Sequence, residues 1–311
     1  MEPVYMLQSV RQNIGQAIVG KQRTVDLLLI ALLCGGHVLI EDMPGLGKTT
    51  LCQALAQSLG CSFRRIQFTP DVLPSDLTGF TMFNLKTGEK ELHPGSVMHQ
   101  IVLADEINRC SPKTQSALLE VMQENQVTVD GVATRVPEPF MVLATENPVE
   151  TAGTYPLPEA QLDRFLMRLS MGYPTHEEEK EILRRHRSLQ ERHPLQAVAS
   201  AQDVLQAQRA VTDVRCSDGI HEYIVSLVEA TRSLQDVQVG ISPRGAIALM
   251  QAARGRALLC GRDYVLPDDV QDLVYPVLSH RLVLRRRGGM PRQTPGAVLR
   301  AVLQAVPVPE I

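Results

Sequence analysis

Two short stretches and one asparagine carry side chains whose types and spacing suit phosphate chemistry. In Glu41-Asp42-Met43-Pro44-Gly45-Leu46-Gly47-Lys48-Thr49-Thr50, Gly45 and Gly47 let backbone N–H groups crowd round phosphate oxygens. A helix opening at Lys48 would point its positive end at them. Lys48 would reach the β- and γ-phosphates and the Thr49 hydroxyl would sit on Mg²⁺, as the pattern G-x-x-x-x-G-K-[ST] requires. Asp42 replaces the pattern's first glycine, and as one of the few residue types that enters the left-handed region cheaply it is expected to adopt that turn. Asp105-Glu106 follows 57 residues after Lys48, at the end of the apolar run Ile101–Ala104. Ligands bind at the carboxyl ends of strands in an open parallel sheet, so both acids would face the loop. Asp105 would then hold Mg²⁺ through water, and Glu106 would act as general base on the attacking water. A second apolar run, Phe140–Thr145, ends on Glu146-Asn147-Pro148. It would set Asn147 beside Glu106, where its amide could orient the water and sense the γ-phosphate.

Such residues need strands to carry them and helices to cover the strands. Val38–Ile40 reads as a buried strand end, Ser62–Gln67 as a second strand, and Ile101–Ala104 and Phe140–Thr145 as central parallel strands. Residues 4–34 show helical spacing broken at Ile18-Val19-Gly20-Lys21. That turn, with Val19 and Gly20, suits either an adenine contact or a plain helix–helix connection. Thr69–Phe80 reads as a rigid irregular loop, and hairpins are expected near 83–97 and, with a tight Asp130-Gly131 turn, near 126–135. Ser111-Pro112 caps a helix running through Met122.

Pro158–Arg168 is expected to form a short helix carrying basic residues away from the loop. Arg164 there could neutralise charge on a neighbouring subunit's nucleotide, or pair with Asp163 or Glu159 within the chain. Pattern changes at Pro174: residues 1–173 read as a nucleotide-binding core, 174–311 as all helical. Thr175–Glu178 is a capping box for a helix to about Glu191, and further helices are expected near 201–211, 217–233, 243–259, 267–282 and 294–305. Ser242-Pro243 caps the third of these and places Arg244 at its start, facing a nucleotide or bulk solvent. Arg285-Arg286-Arg287, with Arg281 and Arg292, is the densest basic run.

Composition narrows the class. A chain of 311 residues with 44% hydrophobic and 21% charged residues is ordinary for a globular protein. A net charge of −3 carries no general footprint for nucleic acid or anionic membrane. Six scattered cysteines, without a C-x-x-C pair, suggest neither zinc nor disulfides and suit a reducing cytoplasm. No stretch approaches the roughly 20 apolar residues of a membrane span, and the first residues lack the regions of a signal peptide.

Assembled, these stretches resemble the MoxR family of AAA+ ATPases over essentially the whole chain. The carrying residues are Glu41–Thr49, Gln67–Gly79, Leu103–Arg109, Ala144–Pro148, Glu159–Phe165 and Ser242-Pro243-Arg244. The resemblance implies an α/β P-loop AAA+ core, a central parallel sheet flanked by helices, followed by an all-α lid. It implies ATP and Mg²⁺ as cofactors, Lys48 and Thr49 as the Walker A pair, and Asp105 and Glu106 as Walker B. Asn147 becomes sensor 1, Arg164 the arginine finger and Arg244 sensor 2, touching nucleotide when the lid closes. It further implies a homo-oligomeric, hexameric ring serving protein clients that carry a von Willebrand factor A domain, with no nucleic acid and no membrane insertion. Against it stand a nucleic-acid motor, drawing on the Arg285–Arg287 run, a small-molecule P-loop kinase, and a nucleotide-gated scaffold without turnover.

Overall fold

The computed structural model describes residues 2–149, 153–186, 195–285 and 293–310. Helices α1 (Pro3–Ala17) and α2 (Gln22–Leu33) precede β1 (Val38–Glu41), and α3 (Lys48–Ser58) leads to β2 (Phe63–Gln67). The short α4 (Pro74–Thr78) opens a hairpin of β3 (Gly79–Phe83) and β4 (Lys90–Pro94), after which come β5 (Ile101–Asp105) and α5 (Pro112–Glu124). A second hairpin, β6 (Gln126–Val129) and β7 (Val132–Arg135), precedes β8 (Met141–Glu146), α6 (Glu159–Leu162) and β9 (Met167–Leu169). The remainder comprises α7 (His176–His186), α8 (Ala201–Asp213), α9 (Asp218–Ser233), β10 (Val237–Val239), α10 (Pro243–Leu259), α11 (Pro267–Leu278), β11 (Val283–Leu284) and α12 (Pro295–Ala305).

Five strands form one parallel sheet in the order β2-β5-β8-β1-β9. Its central strands are apolar on both sides because both sides are covered. Val38, Ile40, Ile101, Leu103, Met141 and Leu143 join the core shared with α1–α3 and the helices after residue 195. Their alternates, Leu39, Val102, Ala104, Val142 and Ala144, pack with Phe68, Leu118 and Phe165 on the opposite face. Polar side chains can therefore appear only where strands stop. Register sets those stops level: Gln67 opposes Asp105, and Glu41 opposes Glu146.

Several boundaries differ from the sequence reading. The segment after β2 holds a helical turn, α4, and its hairpin begins at Gly79 and ends at Pro94 rather than spanning 83–97. Pro158–Arg168 is not one helix: α6 ends at Leu162, and the apolar Phe165-Leu166-Met167 run turns into β9, which pairs with β1. Arg164 and Arg168 thus stand on different elements. The second half is not wholly helical, since β10 and β11 form a small antiparallel ribbon and α11 stops at Leu278 before a 3-10 turn, Ser279–Arg281. Helix α7 opens with the expected box, Thr175 N–H donating to Glu178 Oε2 at 2.8 Å, and its continuation toward Glu191 lies outside the described residues.

A buried carboxylate organises the helices of the second half. Asp269, fully buried, accepts from Arg262 Nη1 and Nη2 at 2.7 and 2.6 Å, from Leu266 N–H at 2.8 Å, and from Arg256. Burial alone pushes its carboxyl up; the bonds from Arg262, Leu266 and Arg256 outweigh that and hold it below the ordinary value. Removing it would take from Arg262 its carboxylate partner and leave Arg256 with Asp272 alone. Asp269→Ala should therefore lower unfolding free energy by about 3–5 kcal/mol in chemical denaturation.

Candidate active site

The loop between β1 and α3 is shaped by Gly45 and Gly47, whose φ angles of 85° and 87° suit glycine alone among common residues. Nothing lies within 4 Å of a Cβ built on Gly45, so the loop's face is open. Gly47 caps α3, leaving the first-turn N–H groups aimed outward from the helix start. Lys48 Nζ arches back over the loop, donating to the carbonyls of Asp42 at 2.8 Å and Met43 at 3.1 Å.

Asp42 does not take the left-handed turn expected of it. Among the described residues, the non-glycines with positive φ are Lys21, Glu106, Asn125 and Asp130. Asp42 is instead buried, and its carboxylate accepts from Ser170 Oγ at 2.7 Å, Gly172 N–H at 3.2 Å and Met171 N–H. A glycine could make none of these bonds. The position is a staple between the start of the loop and the segment leaving β9.

A cavity of about 370 Å³ collects Pro44, Gly45, Gly47, Lys48, Thr49 and Thr50 with Asp105, Glu106 and Asn147. The sequence-predicted loop, acid pair and asparagine therefore share one space; Met43 and Leu46 shape the loop without lining it. Glu106 sits just past β5 with φ 58°, a strained backbone of the kind concentrated at functional positions. Its N–H donates to Thr145 Oγ at 2.9 Å, and its carboxylate accepts from Gln67 Nε2 at 2.8 Å and pairs with Arg109 at 3.1 Å. Asp105 Oδ1 accepts from Thr145 Oγ at 2.6 Å, while Oδ2 takes Arg65 Nη2 and Nε at 2.6 and 3.0 Å.

Sequence reasoning missed Arg65, Gln67, Thr145 and Glu146, all of which line this cavity. The period-two alternation of Phe63-Arg64-Arg65-Ile66-Gln67 was the available signal: with Ile66 buried on one face, Arg65 and Gln67 share the other.

The remaining predicted residues fall elsewhere. Val19 and Gly20 line a neighbouring open cavity of about 970 Å³. Ile18 links it to the loop, its Cδ1 lying 3.9 Å from where a Cβ on Gly47 would be. A side chain at Gly20 would collide with Glu178 at the start of α7, and Lys21 Nζ grips the carbonyls of Gly172 and Tyr173 at 3.0 and 2.9 Å. Arg164 and Arg244 meet at a third depression, with Asp163, Arg281 and the residues Gly35–His37 that precede β1. That is the opposite end of the sheet from the loop, separated by the length of β1, roughly 10–13 Å. The structure thus does not bring Arg244 to its own chain's loop.

Nor does Arg164 make the internal pair with Asp163 or Glu159. Asp163 belongs to Arg281, at 2.6 Å, with Arg244 at 4.0 Å, and no ion pair holds Arg164 among the described residues. Arg168 is committed to Glu41 at 3.2 Å.

The donor set fits a nucleoside triphosphate with a hard divalent ion. It offers open N–H groups, an ammonium, the Thr49 hydroxyl and the Asp105 carboxylate. The described residues contain no group of three or more His, Cys, Asp or Glu able to hold a metal. An ion here would draw on phosphate and water, as Mg²⁺ commonly does.

Glu146 adds a pH dependence. Burial, then the neighbouring Glu41, raises its carboxyl to about 7 against the pull of Arg168, and its Oε1 is buried without a hydrogen-bond partner. Folded chains retain this proton above the range where unfolded chains lose it, so stability falls as pH rises from about 4.5 to about 7. Glu146→Gln should therefore exceed wild type in unfolding free energy near pH 8, by roughly 1–3 kcal/mol in chemical denaturation, with the gap closing toward about pH 5.

Comparisons with known proteins agree with this geometry. Residues 37–167 match the model described as ATPase family associated with various cellular activities (AAA), and residues 229–302 match an AAA lid domain. The chain is 53% identical to the protein YeaC of Bacillus subtilis (strain 168), over 98% of this chain and 95% of that one. It is 41% identical to "Chaperone MoxR1" of Mycobacterium tuberculosis (strain ATCC 25618 / H37Rv), over 99% and 84% of the two chains. The crystal structure of a putative ATPase from Cytophaga hutchinsonii superposes with a TM-score of 0.92 at 38% identity, covering 99% of this chain and 97% of that one. With the loop, acid pair and sheet order already in place, the chain belongs to the MoxR family of AAA+ ATPases.

Proposed function

We propose that this chain is a cytoplasmic, Mg²⁺-dependent ATP hydrolase that assembles into a ring, of six subunits by family resemblance, and uses turnover to remodel or mature protein clients. The observation that carries the reading is a split site. Loop, acids and asparagine share one cavity, while Arg164 and Arg244 stand together at the far end of the sheet. A second copy is what would unite the two halves.

In that arrangement Lys48 and the N–H groups of the loop bind the β- and γ-phosphates, and Ile18-Val19-Gly20 flanks the base. Bound at Thr49 and, through water, at Asp105, Mg²⁺ would neutralise phosphate charge. Glu106 takes the proton of the attacking water once Gln67 releases it, and Asn147 orients that water. Arg164, with Arg244 beside it, neutralises charge developing on the adjoining subunit's phosphoryl group. Arg168, already tied to Glu41, is unsuited to that role.

We divide the chain into a core, 1–173, and a lid, 174–311, meeting where Asp42 and Lys21 hold residues 171–173. The client is a protein, with a von Willebrand factor A domain as the implied type; the name "chaperone" carried by a relative supports this. A nucleic-acid motor has less behind it. Arg281, counted with the basic run, is buried against Asp163 and several carbonyls, and Arg286, Arg287 and Arg292 lie outside the described residues. Among the described residues no helix is long and apolar enough to cross a membrane.

Glu106→Gln should keep Mg²⁺-dependent binding of a fluorescent ATP analogue while abolishing phosphate release; undiminished release would contradict the assignment. Arg164→Ala should cost about 10³-fold or more in turnover. Co-assembling it with Lys48→Ala, itself inactive, should restore part of the activity, since some interfaces then pair an intact loop with an intact arginine. Sedimentation with and without ATP and Mg²⁺ should show the ring; a monomer under both conditions would remove its basis.

A further inference from the structure

The end of α9, the strand β10 and the loop leading into α10 enclose a cavity of about 900 Å³. It shares no lining residue with the nucleotide loop or with the depression of Arg164 and Arg244. Arg232 reaches it from α9, and Arg285 from just past β11. Each is pinned by its Nε, Arg232 to the Ile241 carbonyl at 2.9 Å and Arg285 to the Val237 carbonyl at 3.1 Å. Gly240 lies against Arg232, where a Cβ would come within 2.7 Å of the arginine Cγ. Both side chains are therefore held, while their Nη ends carry no hydrogen bond or ion pair among the described residues.

No aspartate or glutamate lines the cavity, and Asp236 meets Arg285 through its backbone carbonyl. Two like charges brought to one cavity without an internal acid add nothing to the fold. Held guanidinium forks are instead suited to carboxylates supplied from outside, and little freedom is left for them to lose on binding. Beside them the lining is aliphatic and partly wet, with Leu234 36% and Val239 51% exposed.

This lining distinguishes between anionic partners. It has no aromatic ring on which a base could stack, and two cations are few for a phosphodiester chain, whose affinity grows with the number of phosphates neutralised. A peptide bearing both carboxylates and aliphatic side chains satisfies both parts of the surface.

We propose that the cavity binds a short acidic and aliphatic segment of a partner protein, its carboxylates on Arg232 and Arg285 and its aliphatic side chains on Leu234 and Val239. Residues 240–243 form a wall of the cavity and run straight into Arg244, so an occupant bears on the start of α10.

The test uses a fluorescein-labelled short peptide of alternating aspartate and leucine, titrated onto the full chain at about 0.15 M salt and followed by fluorescence anisotropy. It should bind with a Kd below about 1 mM, and Arg232→Gln and Arg285→Gln should each weaken it about tenfold. Arg209→Gln, on an exposed arginine of α8, should match wild type. Arg285→Glu should reject this peptide and take up a lysine and leucine counterpart that wild type does not bind. Absence of binding overturns the proposal, as does binding that survives loss of both arginines or equal affinity for an aspartate and serine version. A labelled single-stranded oligonucleotide that binds more tightly and needs the same two arginines also overturns it, since the partner would then be nucleic acid. Should Arg232→Gln fail to fold, Arg285→Gln and the charge reversal carry the comparison.

Discussion

Central parallel strands covered on both faces can show polarity only at their ends, leaving the edge strand β2 as the other place for it, and that constraint shapes this molecule. Levelled by register, β1, β2, β5 and β8 deliver Glu41, Gln67, Asp105 and Glu146 to one edge, with Glu106 just beyond. Four carboxylates so close would repel, and the structure answers each with a specific partner or a proton. Arg168 takes Glu41, Arg65 takes Asp105, Arg109 and Gln67 share Glu106, and Glu146 holds on to its proton to about 7. The loop cations and the acids therefore come as a balanced set, into which an anionic ligand with its own counter-ion can enter without leaving a buried charge unpaired.

Much of this was legible in the chain because it follows from local rules. Glycines at the loop, apolar runs ending in acids, and Ser-Pro or Thr-x-x-Glu caps each state their structure within a few residues. What was not legible depended on partners far away in sequence. The purpose of Asp42 appears only once residues 170–172 fold back on it, and Arg65 looks like an ordinary edge-strand arginine until β5 is laid beside it. Phe165-Leu166-Met167 was read as helix because a three-residue strand has no periodicity of its own to declare; pairing with β1 decides it. Arg281 was grouped with its basic neighbours, whereas its burial places it at the boundary between the two halves of the chain.

The loop and the arginine-bearing depression are each tied to another part of the chain by an aspartate. Asp42 binds the loop to the stretch that leads toward α7, and Asp163 binds the segment bearing Arg164 to the turn after α11. Buried Asp42 is satisfied by three donors, as a buried acid requires, whereas half-buried Asp163 relies chiefly on Arg281.

The Asp163–Arg281 bond gives half-buried Arg164 a mechanical property. Arg281 reaches past Asp163 to the carbonyls of Phe165 and Leu166, so the backbone on which Arg164 rides is gripped from the helical half at several points. The root of its side chain is consequently fixed to those helices, while no ion pair among the described residues holds the guanidinium itself. Any torque that turns the helical half would carry that root along, moving the whole arc the side chain can search.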